Sequence, residues 1–126
     1  MANKKISIIS PVYNEEENIN IFFEAIQNVK NNLTNYDVEL IFTNNASTDG
    51  TLKKLETISK KNQWVKIITL KRNFGYQNSL LCGLNYASGD LITMIDPDLE
   101  DLDAAADPPA PGDEQPQVAP EEASSE

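Results

Sequence analysis

Two aspartates separated by one residue, Asp96 and Asp98, follow a short apolar run at residues 91–95. Alternate residues leaving a strand can aim two hard oxygen ligands at one divalent cation and leave positions open for a diphosphate. Mg2+ or Mn2+ is the ion that such a pair suits. An isolated Asp-x-Asp is usually a solvated acidic turn; a place at the end of a buried strand is what sets this pair apart. Glu100 either adds a third oxygen or is, like Asp101, an ordinary loop charge. The chain has no histidine, which removes imidazole metal sites, Ser-His-Asp triads and Cys-His nucleophiles together.

The elements that would position these aspartates can be read from hydrophobic spacing. Residues 6–10 form an apolar, β-branched run closed by Pro11, the pattern of a buried strand. Asn14 is the expected N-cap of a first helix, with Glu15, Glu16 and Glu17 in its first turn and Ile19, Phe22, Phe23, Ile26, Val29 and Leu33 along one face. Residues 38–42 make a second strand ended by Asn44 and Asn45. Ser47, Thr48, Asp49 and Gly50 then cap a helix carrying Leu52, Leu55 and Ile58. Residues 64–70 read as a third strand. Gly75 opens a third helix with Leu80, Leu81, Leu84 and Ala87 on its apolar face, Gly83 at a close contact and Gly89 at the C′ position. Residues 91–95 are the fourth strand.

Strands alternating with helices through short loops indicate right-handed βαβ units and a Rossmann-like parallel α/β sheet. In such a sheet ligands bind at the carboxyl ends of the strands. Those ends are residues 11–15, Asn44 with Asn45, Arg72 with Asn73, and residues 96–98. No Gly-x-Gly-x-x-Gly follows the first strand and no Gly-Lys-Ser/Thr loop is present, so a dinucleotide cofactor and triphosphate hydrolysis are both disfavoured.

Composition divides the chain near Asp101. Residues 1–101 carry 13 acidic and 10 basic groups, whereas residues 102–126 carry 7 acidic and no basic ones. Five of the seven prolines lie after residue 107, and no asparagine or isoleucine follows Ile95. A junction of two coding compositions, as in a fusion, is the expectation there. Residues 102–126 hold too little apolar surface to offset ordering entropy and are expected to be a disordered acidic tail. Net charge of −10 without clustered Lys or Arg excludes nucleic acid as a partner. Cys82 is the only cysteine and suits a reducing, cytoplasmic setting, where it is expected to be a small buried hydrophobe. Neither a signal-type apolar stretch nor a run of about 20 apolar residues occurs, so a soluble chain is expected.

The stations Ser10-Pro11-Val12-Tyr13-Asn14-Glu15-Glu16, Asn44-Asn45-Ala46-Ser47-Thr48-Asp49-Gly50-Thr51, Arg72-Asn73-Phe74-Gly75, Gly89-Asp90 and Asp96-Pro97-Asp98-Leu99-Glu100-Asp101 together resemble glycosyltransferase family 2. These are inverting GT-A enzymes, and the resemblance is to the polyprenyl-phosphate hexosyltransferases among them. It runs from Ile6 to Asp101, so residues 1–101 would be the N-terminal, nucleotide-sugar-binding half of a GT-A domain. The resemblance implies that Pro11, Tyr13 and Glu15 line the base and ribose pocket and that Asn44 or Asn45 bonds the base. Asp96 and Asp98 would bind ribose, metal and diphosphate, with Glu100 where relatives place a glutamine near the metal. It implies a UDP- or GDP-linked sugar as donor, with Arg72 beside it, and a lipid-phosphate acceptor at the cytoplasmic face of a membrane.

Three departures stand out. Asn44 and Asn45 replace a pair with at least one aspartate, Pro97 replaces a small residue, and the tail from Leu102 replaces a Pro-Pro-Glu continuation that leads to the acceptor site. A fourth strand without an outer neighbour would present an edge for self-association. Two expectations from different classes therefore stand side by side: a glycosyltransferase by descent that binds donor only, and a non-catalytic fragment whose tail solubilises it or contacts a basic partner.

Overall fold

A computed structural model describes residues 3–98. Glu100, the boundary at Asp101 and the acidic tail at 102–126 lie outside the described residues. The chain runs β1 (Lys4–Val12), α1 (Ile19–Asn32), β2 (Tyr36–Asn44), α2 (Thr51–Lys61), β3 (Val65–Thr69), α3 (Tyr76–Tyr86) and β4 (Leu91–Met94). All strand pairs are parallel and the sheet order is β3-β2-β1-β4. The chain therefore steps outward from β1 to β2 to β3, then returns to lay β4 along the other side of β1.

β1 does not stop at Pro11 as the sequence suggests but pairs with β2 as far as Val12 opposite Asn44. Backbone parity explains this. Val12 O accepts from Asn45 N and faces β2, whereas Ile9 O accepts from Ile95 N and faces β4. Pro11 shares the side of Ile9, where ladder pairing with β4 has already ended at Ile9 opposite Met94. Its missing N–H thus costs no ladder bond.

The hydrophobic alternation of β1 and β2 sends Ile8 and Val12 with Val38, Leu40 and Phe42 toward α1 and α2, where Ile19, Phe22, Ile26, Leu55 and Ile58 complete the core. Phe22 meets Phe42 edge to face at 6.0 Å between centroids. Complete burial of side chains such as Phe22, Leu40 and Leu55 stabilises by about 1.5–3 kcal/mol each. At the rim, Phe23 stacks on Trp64 at 5.5 Å, with the Lys30 ammonium 5.1 Å from the Trp64 ring.

α3 packs on the opposite face, turned differently from the sequence expectation. Its buried residues are Ser79 and Gly83, while Leu81 and Leu84 are exposed. The sheet comes too close for a leucine there. A Cβ at Gly83 would lie 2.5 Å from Ile9 Cγ2 and 2.8 Å from Thr43 Oγ1, and Ser79 Oγ donates to Thr43 O. Gly89 likewise follows a close approach rather than a helix C′ turn, because a Cβ on it would sit 2.8 Å from Ser7 N. Cys82 is half-buried on α3. All four residues of β4 are exposed, so the strand that leads to Asp96 is not the buried one expected from its apolar run: it lies at the edge of the sheet, with β1 as its one neighbour among the described residues. No helix among the described residues is long and apolar enough to cross a membrane.

At the amino end of the sheet one carboxylate gathers three strands and a loop. Glu39 on β2 is 2% exposed. It accepts from Lys66 Nζ of β3 at 2.8 Å, from Ser7 Oγ of β1, and from Ser88 N and Oγ at 2.8 and 3.1 Å, with Lys5 Nζ at 3.5 Å. Burial alone would raise its pKa; the Lys66, Ser7 and Ser88 donors outweigh burial and lower it from 4.5 to about 2. A lowered folded-state pKa means stability that is fully present above the unfolded value and lost as pH falls through the folded one. Wild-type protein is therefore expected to lose on the order of 3 kcal/mol between pH 5 and pH 2 from this group. Glu39→Gln should lose a similar amount already at pH 7 and show a flatter acid limb, measured by urea denaturation across that range.

Candidate functional site

The return of the chain to β1 makes the gap between the ends of β1 and β4 the place where successive loops diverge to opposite sides, the position at which open parallel sheets leave a crevice. A crevice of about 440 Å3 lies there. Pro11, Val12, Tyr13 and Glu15 line it after β1, and Asn45 after β2. Asn73, Gly75, Tyr76 and Ser79 come from the start of α3, and Asp96, Pro97 and Asp98 from the end of β4.

The wall after β1 is held by the loop after β2. Asn14 adopts φ +52°, a left-handed conformation that asparagine tolerates. Its N–H donates to Ser47 Oγ at 3.0 Å, and its Oδ1 accepts from Thr48 N at 2.8 Å. Glu15 N donates to Thr51 Oγ1 at 2.9 Å, and Glu16 Oε1 accepts from Gly50 N at 3.0 Å. Asn14 is thus a clasp between loops rather than the cap of α1, whose capping position falls at Asn18. Asp49 accepts from both the Oγ1 and the N of Thr51. Burial raises its pKa, but these bonds and the backbone donor of Glu16 prevail and hold it below the usual carboxylate range.

Asn45 is fixed from the α3 side. Its Oδ1 accepts from Phe74 N at 2.9 Å and its Nδ2 donates to Asn73 Oδ1 at 2.8 Å. Since a backbone N–H can only donate, the bond from Phe74 determines which amide atom is the oxygen. Asn73 Oδ1 also accepts from Gly75 N at 2.8 Å. Gly75, at φ +93°, turns the chain into α3 through backbone space that residues with a Cβ rarely enter. The amino end of α3 opens on the crevice, where its dipole favours an anion.

Of the residues expected from sequence, Pro11, Tyr13, Glu15, Asn45, Asp96 and Asp98 come together on this crevice. Asn44 does not line it: the residue is 1% exposed and its Oδ1 accepts from Ser47 N, bracing the turn. Arg72 is exposed and folds its guanidinium over the Phe74 ring at 4.8 Å. Tyr76 and Ser79 also line the crevice, and sequence spacing does not single them out beyond their place just after the polar end of β3.

Among the described residues no group of three or more His, Cys, Asp or Glu assembles as a metal site. Asp96 and Asp98 supply two carboxylates on the crevice wall, a donor set that fits a hard divalent cation sharing its other positions with phosphate oxygens and water.

The sequence model of glycosyl transferase family 2 matches residues 7–106. A prophage bactoprenol glucosyl transferase homolog of Escherichia coli K12 is 39% identical over 97 residues, covering 77% of this chain and 31% of that protein. The bactoprenol glucosyl transferase of Shigella phage SfV is 38% identical with the same coverage. The chain thus spans about a third of the length of these curated relatives. In structure it is similar to the mannosyltransferase PcManGT from Pyrobaculum calidifontis in complex with GDP-Man and Mn2+, with a TM-score of 0.65 at 21% identity over 77% of this chain and 28% of that one. S. aureus TarS 1-349 in complex with UDP-GlcNAc gives a TM-score of 0.63 at 26% identity, over 81% of this chain and 30% of that one.

The clasp beneath the crevice is open to direct measurement. Thr51 is fully buried, and Thr51→Val keeps its shape while leaving Glu15 N without its acceptor. A loss of about 1–2 kcal/mol in urea denaturation is expected, with faster amide exchange at Glu15.

Proposed function

The chain belongs to glycosyl transferase family 2, and from that membership and the shape of its crevice we propose that residues 3–98 bind the nucleoside-diphosphate end of a hexose donor. The sugar passes to a polyprenyl phosphate at the cytoplasmic face of a membrane, with inversion. The observation that carries this reading is the convergence of Asp96 and Asp98 with the amino end of α3 on one crevice. Both features suit a diphosphate: carboxylates can hold a divalent cation against it, and backbone donors at a helix amino end favour its charge. Relatives named for bactoprenol glucosyl transfer, and similar folds solved with GDP-Man and Mn2+ or with UDP-GlcNAc, support the donor and acceptor classes.

In the proposed reaction a phosphate oxygen of the lipid attacks the anomeric carbon as the bond from that carbon to the diphosphate breaks on the opposite face. The acceptor oxygen is already anionic and needs no protein base. Bound Mg2+ or Mn2+ would supply stabilisation of the charge that develops on the departing nucleoside diphosphate. Asp96 and Asp98 would hold that ion. Tyr13, Glu15 and the fixed amide of Asn45 would orient the nucleoside.

Calorimetry of the full chain tests the donor site. UDP or GDP is expected to bind in a Mn2+-dependent manner, and Asp98→Ala should weaken that binding at least tenfold, about 1.4 kcal/mol. Absence of binding by either nucleotide, or binding indifferent to Asp98→Ala, would overturn the assignment.

We also infer self-association along β4, whose outer edge has no partner among the described residues and whose Leu91, Ile92 and Met94 are exposed. Sedimentation velocity is expected to show a concentration-dependent dimer that Ile92→Lys reduces. A monomer at every concentration would refute it.

A further inference from the structure

One bond ties α3 directly to the carboxylate pair. Tyr76 Oη lies 3.0 Å from Asp96 Oδ1 and 3.0 Å from Met94 Sδ. A phenol has one proton to donate, and a carboxylate is a far better acceptor than a thioether. The proton therefore goes to Asp96. Met94 is the last residue of β4, so the phenol spans from the first residue of α3 to the point where β4 ends.

The backbone that carries Tyr76 is fixed. Gly75 turns at φ +93° with its N–H on Asn73 Oδ1. Ser79 N closes the first turn on Gly75 O at 3.0 Å, and Asn78 Nδ2 donates to Phe74 O at 2.8 Å. The hydroxyl delivered from this helix start bonds one oxygen of the Asp96 carboxylate and so bears on its orientation. Since a carboxylate has about four lone-pair sites, this bond and ligation of a cation are compatible.

We propose that Tyr76 is a positioning residue for the metal site, its hydroxyl orienting Asp96 toward the cation that accompanies the donor diphosphate. The proposal rests on the donor-site reading given above. Partners that orient a metal-binding carboxylate typically matter by about 10–100-fold in metal affinity. Tyr76 is 45% exposed, so Tyr76→Phe removes the hydroxyl without disturbing a core.

The experiment titrates Mn2+ into the full chain saturated with UDP, and separately with GDP, following free Mn2+ by electron paramagnetic resonance. Tyr76→Phe is expected to weaken Mn2+ binding about tenfold, while the thermal midpoint of the ligand-free chain stays at its wild-type value. Equal Mn2+ affinity in the variant and the wild type would overturn the inference and leave the donor site standing. A lowered thermal midpoint of the ligand-free chain would make the role structural and overturn it as well. If the wild-type chain binds no Mn2+ with either nucleotide, the donor-site reading falls and this inference falls with it.

Discussion

Everything at the carboxyl end of this sheet depends on the central place of β1, a strand paired on both sides over part of its length only. Along Ile6 to Ile9 it is flanked by β2 and β4; beyond that it keeps β2 alone. The half-paired segment from Ser10 to Val12 is where the crevice opens, because β4 has turned away into Asp96 while β1 still runs on. Proline at position 11 is compatible with that geometry and with little else in a central strand, since its ring occupies the side from which the neighbour has just withdrawn. Sheet order and one residue's missing donor thus say the same thing about where a ligand can enter.

Two polar systems frame this opening at opposite ends of the sheet. At the amino end, Glu39 collects Lys66, Ser7 and Ser88 and so pins the α3–β4 connection to three strands. At the carboxyl end, the Asn14, Glu15 and Glu16 loop is laced to the Ser47 to Thr51 turn, and Asn45 is laced to Asn73 and Phe74. The apolar core lies between them and fills the α1/α2 side. The α3 side is a close approach, with Ser79 and Gly83 set directly on Thr43 and Ile9. Loops tied to one another in this way suit a binding surface that must keep its polar groups aimed.

Alternation of strand and helix was legible because period-2 and period-3.6 apolar patterns are local, and the polar strand ends followed from it. Pro11, Tyr13, Glu15, Asn45, Asp96 and Asp98 could be placed on one crevice for that reason. What sequence spacing misjudged was set by partners far along the chain. Asn14 looked like a cap, yet its oxygen bonds Thr48, 34 residues away. The leucines of α3 looked like its buried face, yet the proximity of Ile9 turned Gly83 inward instead. Asn44 and Asn45 are indistinguishable by type, and only the pleat decides that one braces a turn while the other faces the crevice. Tyr76 carried no spacing signal at all, since its partner lies across a helix and a strand.

The fixed amide of Asn45 also constrains which neighbours can change together. An aspartate at position 45 could still accept from Phe74 N, but it would set a second bare oxygen against Asn73 Oδ1. Rotating the Asn73 amide to offer its NH2 group would relieve that clash and withdraw the acceptor on which Gly75 N depends, loosening the first turn of α3. Positions 45 and 73 therefore form a coupled pair with a conformational penalty on either single step, so a shift between amide and carboxylate at the crevice must be made at both positions or be accompanied by a new partner for Gly75.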